Sequence, residues 1–194
     1  MKTSKILLPV ISILLAALFL SVMPTEAEAA IYRDTVRLHI VAESDTREHQ
    51  DIKLLIRDKV LTSYGSLLEA RENAAEAEEV LSARLCEIES DCAKWIREAG
   101  SNATVSVTLD KEWYNTREYA DFTLPAGEYT SLKIVIGSGE GQNWWCVMYP
   151  PLCLDIAVKE SGKGYTDTER GLISRSGYNV KFKLLEVASS IFRR

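Results

Sequence analysis

The residues most capable of chemistry in this chain are its four cysteines, Cys86, Cys92, Cys146 and Cys153. If the protein is exported, as its N-terminal segment predicts, they first indicate disulfides, and three pairings are possible. Cys86 and Cys92 are six positions apart on a predicted helix, separated by about 9 Å of rise and pointing about 120° apart, so the helix prevents their pairing. Cys146 and Cys153 flank Pro150-Pro151, which bends the chain and makes a bridge easy. We therefore favour Cys146–Cys153 with Cys92 as a buried thiol; the alternative is a cross-pairing between the helix and the later segment.

Other cysteine chemistry finds little support. A cysteine nucleophile needs a histidine within hydrogen-bond reach, and the chain offers His39 and His49. His39 is predicted on the polar side of a strand and His49 at a helix start, so a surface or capping role is the simpler interpretation of each. The cysteine spacings differ from the short knuckles of zinc sites and from the Cys-x-x-Cys of redox proteins. The sequence therefore predicts no catalytic residue, no metal site and no cofactor.

The second unusual segment is GQNWWCVMYPPLC, residues 141–153. Adjacent tryptophans on an extended chain point to opposite faces, so one of Trp144 and Trp145 can anchor the segment while the other projects. Rigid aromatics held by two prolines give a large contact area at little entropic cost, as binding hot spots require. We predict a preorganised recognition loop. Its partner-binding residues are Gln142, Asn143, Trp144, Trp145 and Tyr149.

The N-terminus has the pattern of a secretory signal peptide. Lys2 and Lys5 precede the apolar stretch 6–23, and Ala27-Glu28-Ala29 is a small-x-small cleavage signature. We predict a cleavable signal peptide at 1–29 and a single exported domain at 30–194, long enough to bury a core. The alternative is an uncleaved membrane anchor, because the apolar stretch reaches the lower length limit of a spanning helix.

The periodicities predict an α+β domain. Val36–Val41 alternates like a strand with one wet face carrying Arg37 and His39. Ser44-Asp45-Thr46 supplies capping side chains for a helix from Arg47 to about Tyr64, which Gly65 ends. A second helix, 67–99, carries an apolar stripe: Leu81, Leu85, Ile88, Cys92, Trp95 and Ala99.

The rest of the chain has strand and loop signals. Residues 104–109, 113–124 and 132–136 are predicted strands or strand-rich, 158–177 is a predicted loop, and 180–192 resembles a last helix but also alternates like a strand. We expect a single compact domain with helices packed on a small, largely antiparallel sheet. The formal net charge is −5 and no basic block occurs, which excludes nucleic acid as a partner. We expect no small-molecule substrate.

Two blocks carry a resemblance to a known family. RLHIVAESDTREHQDIKLLIRDKV (37–60) and YADFTLPAGEYTSLKIVIGSGEGQNWWCVMYPPLCLD (119–155) resemble the stage II sporulation protein R family. The resemblance implies a protein made in the forespore of endospore-forming Firmicutes and secreted into the intermembrane space between forespore and mother cell. It also implies that the protein is a signal and not an enzyme: it activates a membrane-embedded aspartic protease of the mother cell, which then processes pro-sigma-E.

On this hypothesis the aromatic segment docks on the protease, and Arg37, Asp45, Arg57 and Asp58 are structural or rim contacts. Two alternatives remain open. One is a thiol-dependent cell-wall or peptide hydrolase, and the other is a septal wall-binding protein.

Overall fold

A computed structural model describes residues 9–13, 15–17, 25–119, 122–151 and 168 of the 194-residue chain. From residue 25 onward its elements are α1 (Glu26–Arg33), β1 (Val36–Val41), α2 (Arg47–Glu69), α3 (Ala74–Ser82), α4 (Leu85–Glu98), β2 (Val105–Tyr114), β3 (Arg117–Glu118), β4 (Thr123–Leu124), β5 (Gly127–Ile136) and β6 (Asn143–Tyr149).

The predicted α+β class is confirmed, and β1 lies inside a four-stranded sheet of order β2-β5-β1-β6. β1 is parallel to β5, with Leu38 opposite Leu132, and antiparallel to β6, with Leu38 opposite Cys146. β2 and β5 are antiparallel, while β3 and β4 form a separate two-stranded ribbon. Two of the three pairings in the main sheet are thus antiparallel, as predicted.

Helices α2, α3 and α4 cover one face of this sheet and form the main hydrophobic core with it. The alternation of β1 places Val36, Leu38 and Ile40 in this core, each with no exposed surface. Burial of a side chain of this size contributes about 1.5–3 kcal/mol relative to exposure. The apolar half of the β1 pattern therefore accounts for its central position.

The other face of β1 is also buried, so the predicted wet face is wrong. Arg37 has no exposed surface and His39 is 6% exposed. An aromatic cluster covers them, made of Ile31, Tyr114, Leu124, Tyr129 and Val147 with Tyr32, Tyr119, Phe122 and Trp145 packed against it. The Arg37 guanidinium lies 4.0 Å from the centroid of the Tyr114 ring and donates to Tyr119 Oη at 2.6 Å. Arg37 is therefore a structural residue and not a rim contact.

The helix predicted to end at Gly65 continues to Glu69 as α2, so that predicted end is wrong. Gly65 is buried, and Tyr64 and Leu68 on either side of it pack into the main core. The packing of this turn outweighs the helix penalty of glycine, which is about 1 kcal/mol.

The single helix predicted over 67–99 is wrong too, because two helices occupy most of it. Asn73 caps α3 by accepting a hydrogen bond from Glu76 N at 3.0 Å, and a turn at 83–84 separates α3 from α4. Most of the predicted stripe nevertheless lies in the main core: Leu81, Ile88, Cys92 and Trp95 are buried, and Leu85 packs against them.

The strands predicted over 104–109 and 132–136 are confirmed within the longer β2 and β5. The strand-rich segment 113–124 contains the end of β2 together with β3 and β4. The predicted loop at 158–177, apart from residue 168, and the last predicted element at 180–192 lie outside the described residues.

The predicted domain boundary after residue 29 falls inside α1. Thr25 caps this helix: its Oγ1 accepts from Glu28 N at 3.3 Å, and its own N–H donates to Glu28 Oε2 at 2.7 Å. The Tyr32 hydroxyl donates to Ala126 O at 3.0 Å and so holds α1 to the loop before β5. No helix in the described part of the chain combines the length and the apolarity needed to cross a membrane.

Candidate docking site

The described cysteines are in different states. Cys146 is disulfide-bonded, Cys86 is an exposed free thiol and Cys92 is a buried one. Burial raises the pKa of the Cys92 thiol to about 12, so the reactive thiolate is suppressed there. Cys153 lies outside the described residues, and its pairing with Cys146 stays a prediction. Among the residues described, no three His, Cys, Asp or Glu side chains are grouped closely enough to hold a metal ion.

Residues 143–149 of the segment predicted as a recognition loop instead form strand β6, paired with β1. Because successive side chains of a strand alternate, Trp144 packs against the main core and Trp145 against the aromatic cluster. Both indoles are partly exposed, whereas Gln142 and Asn143 before them are exposed. We call these four residues, 142–145, the docking tip.

On the helical side of the docking tip, Arg57 of α2 contacts Trp144. Its Cζ lies 5.1 Å from the centroid of the indole. Arg57 Nη2 is also 2.7 Å from Asp58 Oδ1, and the Arg57 side chain is 26% exposed. A cation–π contact at such a site contributes about 0.5–1 kcal/mol. Arg57 borders the docking tip, and Asp58 reaches that border through its ion pair with Arg57.

On the other side of the sheet, Trp145 has two neighbours. The Arg117 Cζ atom of β3 lies 3.8 Å from the centroid of the indole. The His39 ring stacks on it, with centroids 5.5 Å apart and planes inclined by 24°. Each tryptophan of the docking tip is therefore contacted by an arginine from a different element.

A chain of polar groups reaches Asn143 from β2. His39 Nδ1 is 2.9 Å from Glu112 Oε2, and His39 Nε2 is 2.6 Å from Asn143 Oδ1. Lys133 Nζ donates to Glu112 Oε1 at 3.1 Å. Burial alone would raise the pKa of Glu112, but the hydrogen bonds and charges of His39 and Lys133 outweigh it and lower this pKa to about 2. Glu112 is therefore a carboxylate at neutral pH.

The loop between β1 and α2, together with α2 itself, fixes the first residue of the docking tip. The Gln142 N–H donates to Asp45 Oδ1 at 2.8 Å, and Gln142 O accepts from Lys53 Nζ at 3.0 Å. Lys53 is 5% exposed, and its burial lowers the pKa of its amine. Asp45, predicted as a structural or rim residue, thus orients the backbone at the docking tip.

Tyr149 does not belong to the docking tip. It is 4% exposed and packs in the main core at the far end of β6, where its hydroxyl donates to Arg71 O at 3.4 Å. Its predicted contact with a partner is therefore corrected to a core position.

Sequence reasoning missed three neighbours of the docking tip, namely His39, Glu112 and Arg117. The alternation of β1 does place His39 on the face opposite the apolar one, but its polar residue type predicts that this face is exposed to water. Glu112 is 73 positions from His39 in the chain. The register of three strands brings them together, and no motif spacing signals that register.

The docking tip combines two partly exposed indoles, two exposed amides and two neighbouring arginines on paired strands. Tryptophan and arginine are enriched in binding hot spots, and a rigid scaffold lowers the entropic cost of association. The exposed large apolar side chains in the described ranges are Val10, Ile11, Ile13 and Leu15, whereas the two indoles are partly exposed. These features make the docking tip a candidate for protein recognition.

Comparison with known proteins identifies the family. The family model described as stage II sporulation protein R matches residues 32–159, so the chain belongs to the stage II sporulation protein R family and has a role in sporulation. A curated relative, stage II sporulation protein R of Bacillus subtilis (strain 168), is 37% identical over 135 residues. This alignment covers 69% of the present chain and 60% of the relative, so the chain spans less than two thirds of that protein's length. No solved structure is similar enough to count as a match.

Proposed function

We propose that this protein is an exported sporulation signal that activates a membrane-embedded aspartic protease of the mother cell and so leads to the processing of pro-sigma-E. Its place of action is the space between the forespore and mother-cell membranes. Family membership supports the sporulation role. The docking tip supports contact with a protein partner, while export, the protease and pro-sigma-E follow from the resemblance to the family.

Activation by contact needs differential affinity. A ligand shifts an equilibrium between inactive and active arrangements only by the ratio of its affinities for the two. The indoles of Trp144 and Trp145 supply contact area, and their arginine neighbours limit how far the rings can move before binding. Because the docking tip is preformed, its ordering costs little binding free energy.

The direct test is reconstitution in a host that makes no spores. The full-length chain, the protease and pro-sigma-E are produced together, and the size of the sigma factor is followed on a gel. We expect processing only when the chain is present. Absence of processing, with all three proteins folded and correctly located, would contradict direct activation and favour the septal wall-binding alternative, which a peptidoglycan pull-down then tests.

Variants locate the contact. Trp144→Ala and Trp145→Ala should each cost at least about 2 kcal/mol of binding, or about 30-fold in affinity. Trp113→Ala is the matched control, since Trp113 is also partly exposed but pairs with Glu128 near the start of β5, at the opposite end of the sheet. Normal processing with both docking-tip variants, at normal protein levels, would remove the docking tip from the proposal.

The thiol hydrolase alternative gains nothing from the cysteine environments. Cys146 is disulfide-bonded, and burial raises the pKa of the Cys92 thiol to about 12. The exposed Cys86 gains no general base from either histidine, since His39 bonds Glu112 and Asn143, and His49 bonds Ser44 and Glu43. A Cys86→Ser variant should therefore activate like the wild type in the same assay.

A further inference from the structure

His39 is almost fully buried on β1 and uses both ring nitrogens. Nδ1 faces both Glu112 carboxylate oxygens, at 3.0 Å and 2.9 Å, and Nε2 faces Asn143 Oδ1 at 2.6 Å. A carboxylate only accepts hydrogen bonds, and so does an amide oxygen. The His39 ring therefore lies between two acceptor groups and joins Glu112 on β2 to Asn143 on β6.

The carboxylate that faces His39 is itself fixed from two further directions. Lys133 Nζ donates to Glu112 Oε1 at 3.1 Å, and the Tyr114 hydroxyl lies 3.1 Å from Glu112 Oε2. The Tyr114 hydroxyl also lies 2.6 Å from Ser131 Oγ. Glu112 is therefore anchored on β2 and β5, and His39 transmits this fixed position to β6.

His39 touches two of the four residues of the docking tip. Its ring stacks on Trp145 and its Nε2–H binds the amide oxygen of Asn143. With the oxygen of Asn143 held inward, its NH2 group remains for a partner. A hydrogen-bond donor placed beside an indole is complementary to an acceptor oxygen, such as a peptide carbonyl or a carboxylate.

We propose that His39 is a positioning residue for partner recognition: anchored by Glu112, it orients Asn143 as a donor and holds Trp145, and the partner presents an acceptor oxygen to Asn143. This inference rests on the proposed function, because it assumes that the docking tip makes the contact. It assigns a role to a histidine that the sequence places on a water-facing strand surface.

The test compares two histidines under the same substitution. His39→Gln removes the stacked ring and its two ring nitrogens, whereas the control His49→Gln changes a histidine that bonds Ser44 and Glu43 in the loop after β1. Glu112→Gln is the second variant, since it keeps the side-chain shape and removes the anchoring charge. Each full-length protein is measured in the protease activation assay, with thermal unfolding to confirm the fold.

We expect His39→Gln and Glu112→Gln to raise the half-maximal concentration for activation about tenfold, the effect of losing a charge-assisted hydrogen bond, while His49→Gln leaves it unchanged. The side-chain NH2 signals of Asn143 and the indole signal of Trp145 in nitrogen-edited NMR should move with His39→Gln and Glu112→Gln. These signals report orientation directly and do not depend on the protease.

A double-mutant cycle separates positioning from a general structural role. In the Asn143→Ala, Trp145→Ala background, His39→Gln should have no further effect on activation, because His39 acts through those two residues. An undiminished effect in that background overturns the inference. The inference is also overturned if a folded His39→Gln protein shows unchanged NMR signals and unchanged activation. In that case the docking tip remains supported as long as Trp145→Ala alone is inactive. Full activity of the Asn143→Ala, Trp145→Ala protein overturns both the inference and the docking tip.

Discussion

Replacing Glu112 with Gln should remove a pH-dependent part of the stability of this protein. Folding lowers the pKa of Glu112 from 4.5 to about 2. A carboxyl group whose pKa falls on folding stabilises the native state above its unfolded pKa, and this contribution is lost as the pH falls through the folded pKa. The loss should therefore occur between about pH 4.5 and about pH 2.

The size of the effect follows from the same shift. One pKa unit corresponds to about 1.4 kcal/mol, so this lowering of the Glu112 pKa amounts to about 3 kcal/mol. The Glu112 side chain is 24% exposed, so solvent screens its interactions with His39 and Lys133 only in part. We expect Glu112→Gln to be less stable than the wild type by up to this amount near neutral pH, and the two proteins to converge near pH 2.

Urea unfolding at a series of pH values measures this difference. Many carboxylates titrate in the same range, so Glu128→Gln serves as the control for an exposed glutamate on the adjacent β5. Its stability should follow that of the wild type at every pH. Parallel loss of stability by the wild type and Glu112→Gln on acidification would refute the assignment of the His39–Glu112 pair as a strong native interaction.

Three further changes probe the α1 side of the fold and the thiols. Ile31→Ala should lower the free energy of unfolding by about 2–5 kcal/mol in urea titrations, because Ile31 has no exposed surface; a change below 1 kcal/mol would mean that α1 is not part of the cooperative fold. Gly127→Ala should cost about 1–3 kcal/mol, since a Cβ there would lie 2.5 Å from Tyr32 Cε1, and unaltered stability would contradict this packing. Timed alkylation with mass spectrometry should modify the exposed Cys86 in the folded protein and Cys92 only on unfolding, whereas equal rates would contradict the burial of Cys92.

The local sequence pattern was sufficient to predict an element where the residues of that element determined it. The alternation of Val36–Val41 predicts β1 with its observed bounds, and Thr46 accepts from His49 N at the start of α2 as the capping residues indicate. The local sequence pattern was insufficient where contacts with other elements determined the bounds of a helix. Gly65 continues a helix because its neighbours are in the core, and Asn73 begins a new helix inside a run that helix propensity alone extends without a break.

The docking tip was likewise predicted from the local sequence pattern only in part. The opposite orientations of Trp144 and Trp145 follow from the period of a strand, and the sequence was enough to predict them. The strand itself was missed, because two prolines and a glycine-rich flank favour a loop. The docking tip is held by Arg57, Arg117 and His39, which lie on three other elements. Only the packing of those elements reveals these contacts.

One segment satisfies two patterns at once near the predicted domain boundary. Ala27-Glu28-Ala29 fits a peptidase signature, while Thr25 and Glu28 form the capping box of α1. Glu28 is 3% exposed, so cleavage after residue 29 would remove a buried side chain as well as the cap. Cleavage at this bond would therefore leave α1 without its capping box.

Arg37 and His39 show why residue type and strand face do not determine a role. Both are basic, both lie on the same buried face of β1, and both contact aromatic rings. Arg37 has no ion pair in the described ranges and is held by two tyrosine rings and the Tyr119 hydroxyl, so its charge is used within the fold. His39 has an anchored carboxylate on one side and an exposed amide on the other, so whatever fixes His39 also fixes a surface that a partner can contact. The difference lies in what stands beyond each side chain, which is why His39, unlike Arg37, connects the interior of this fold to its docking tip.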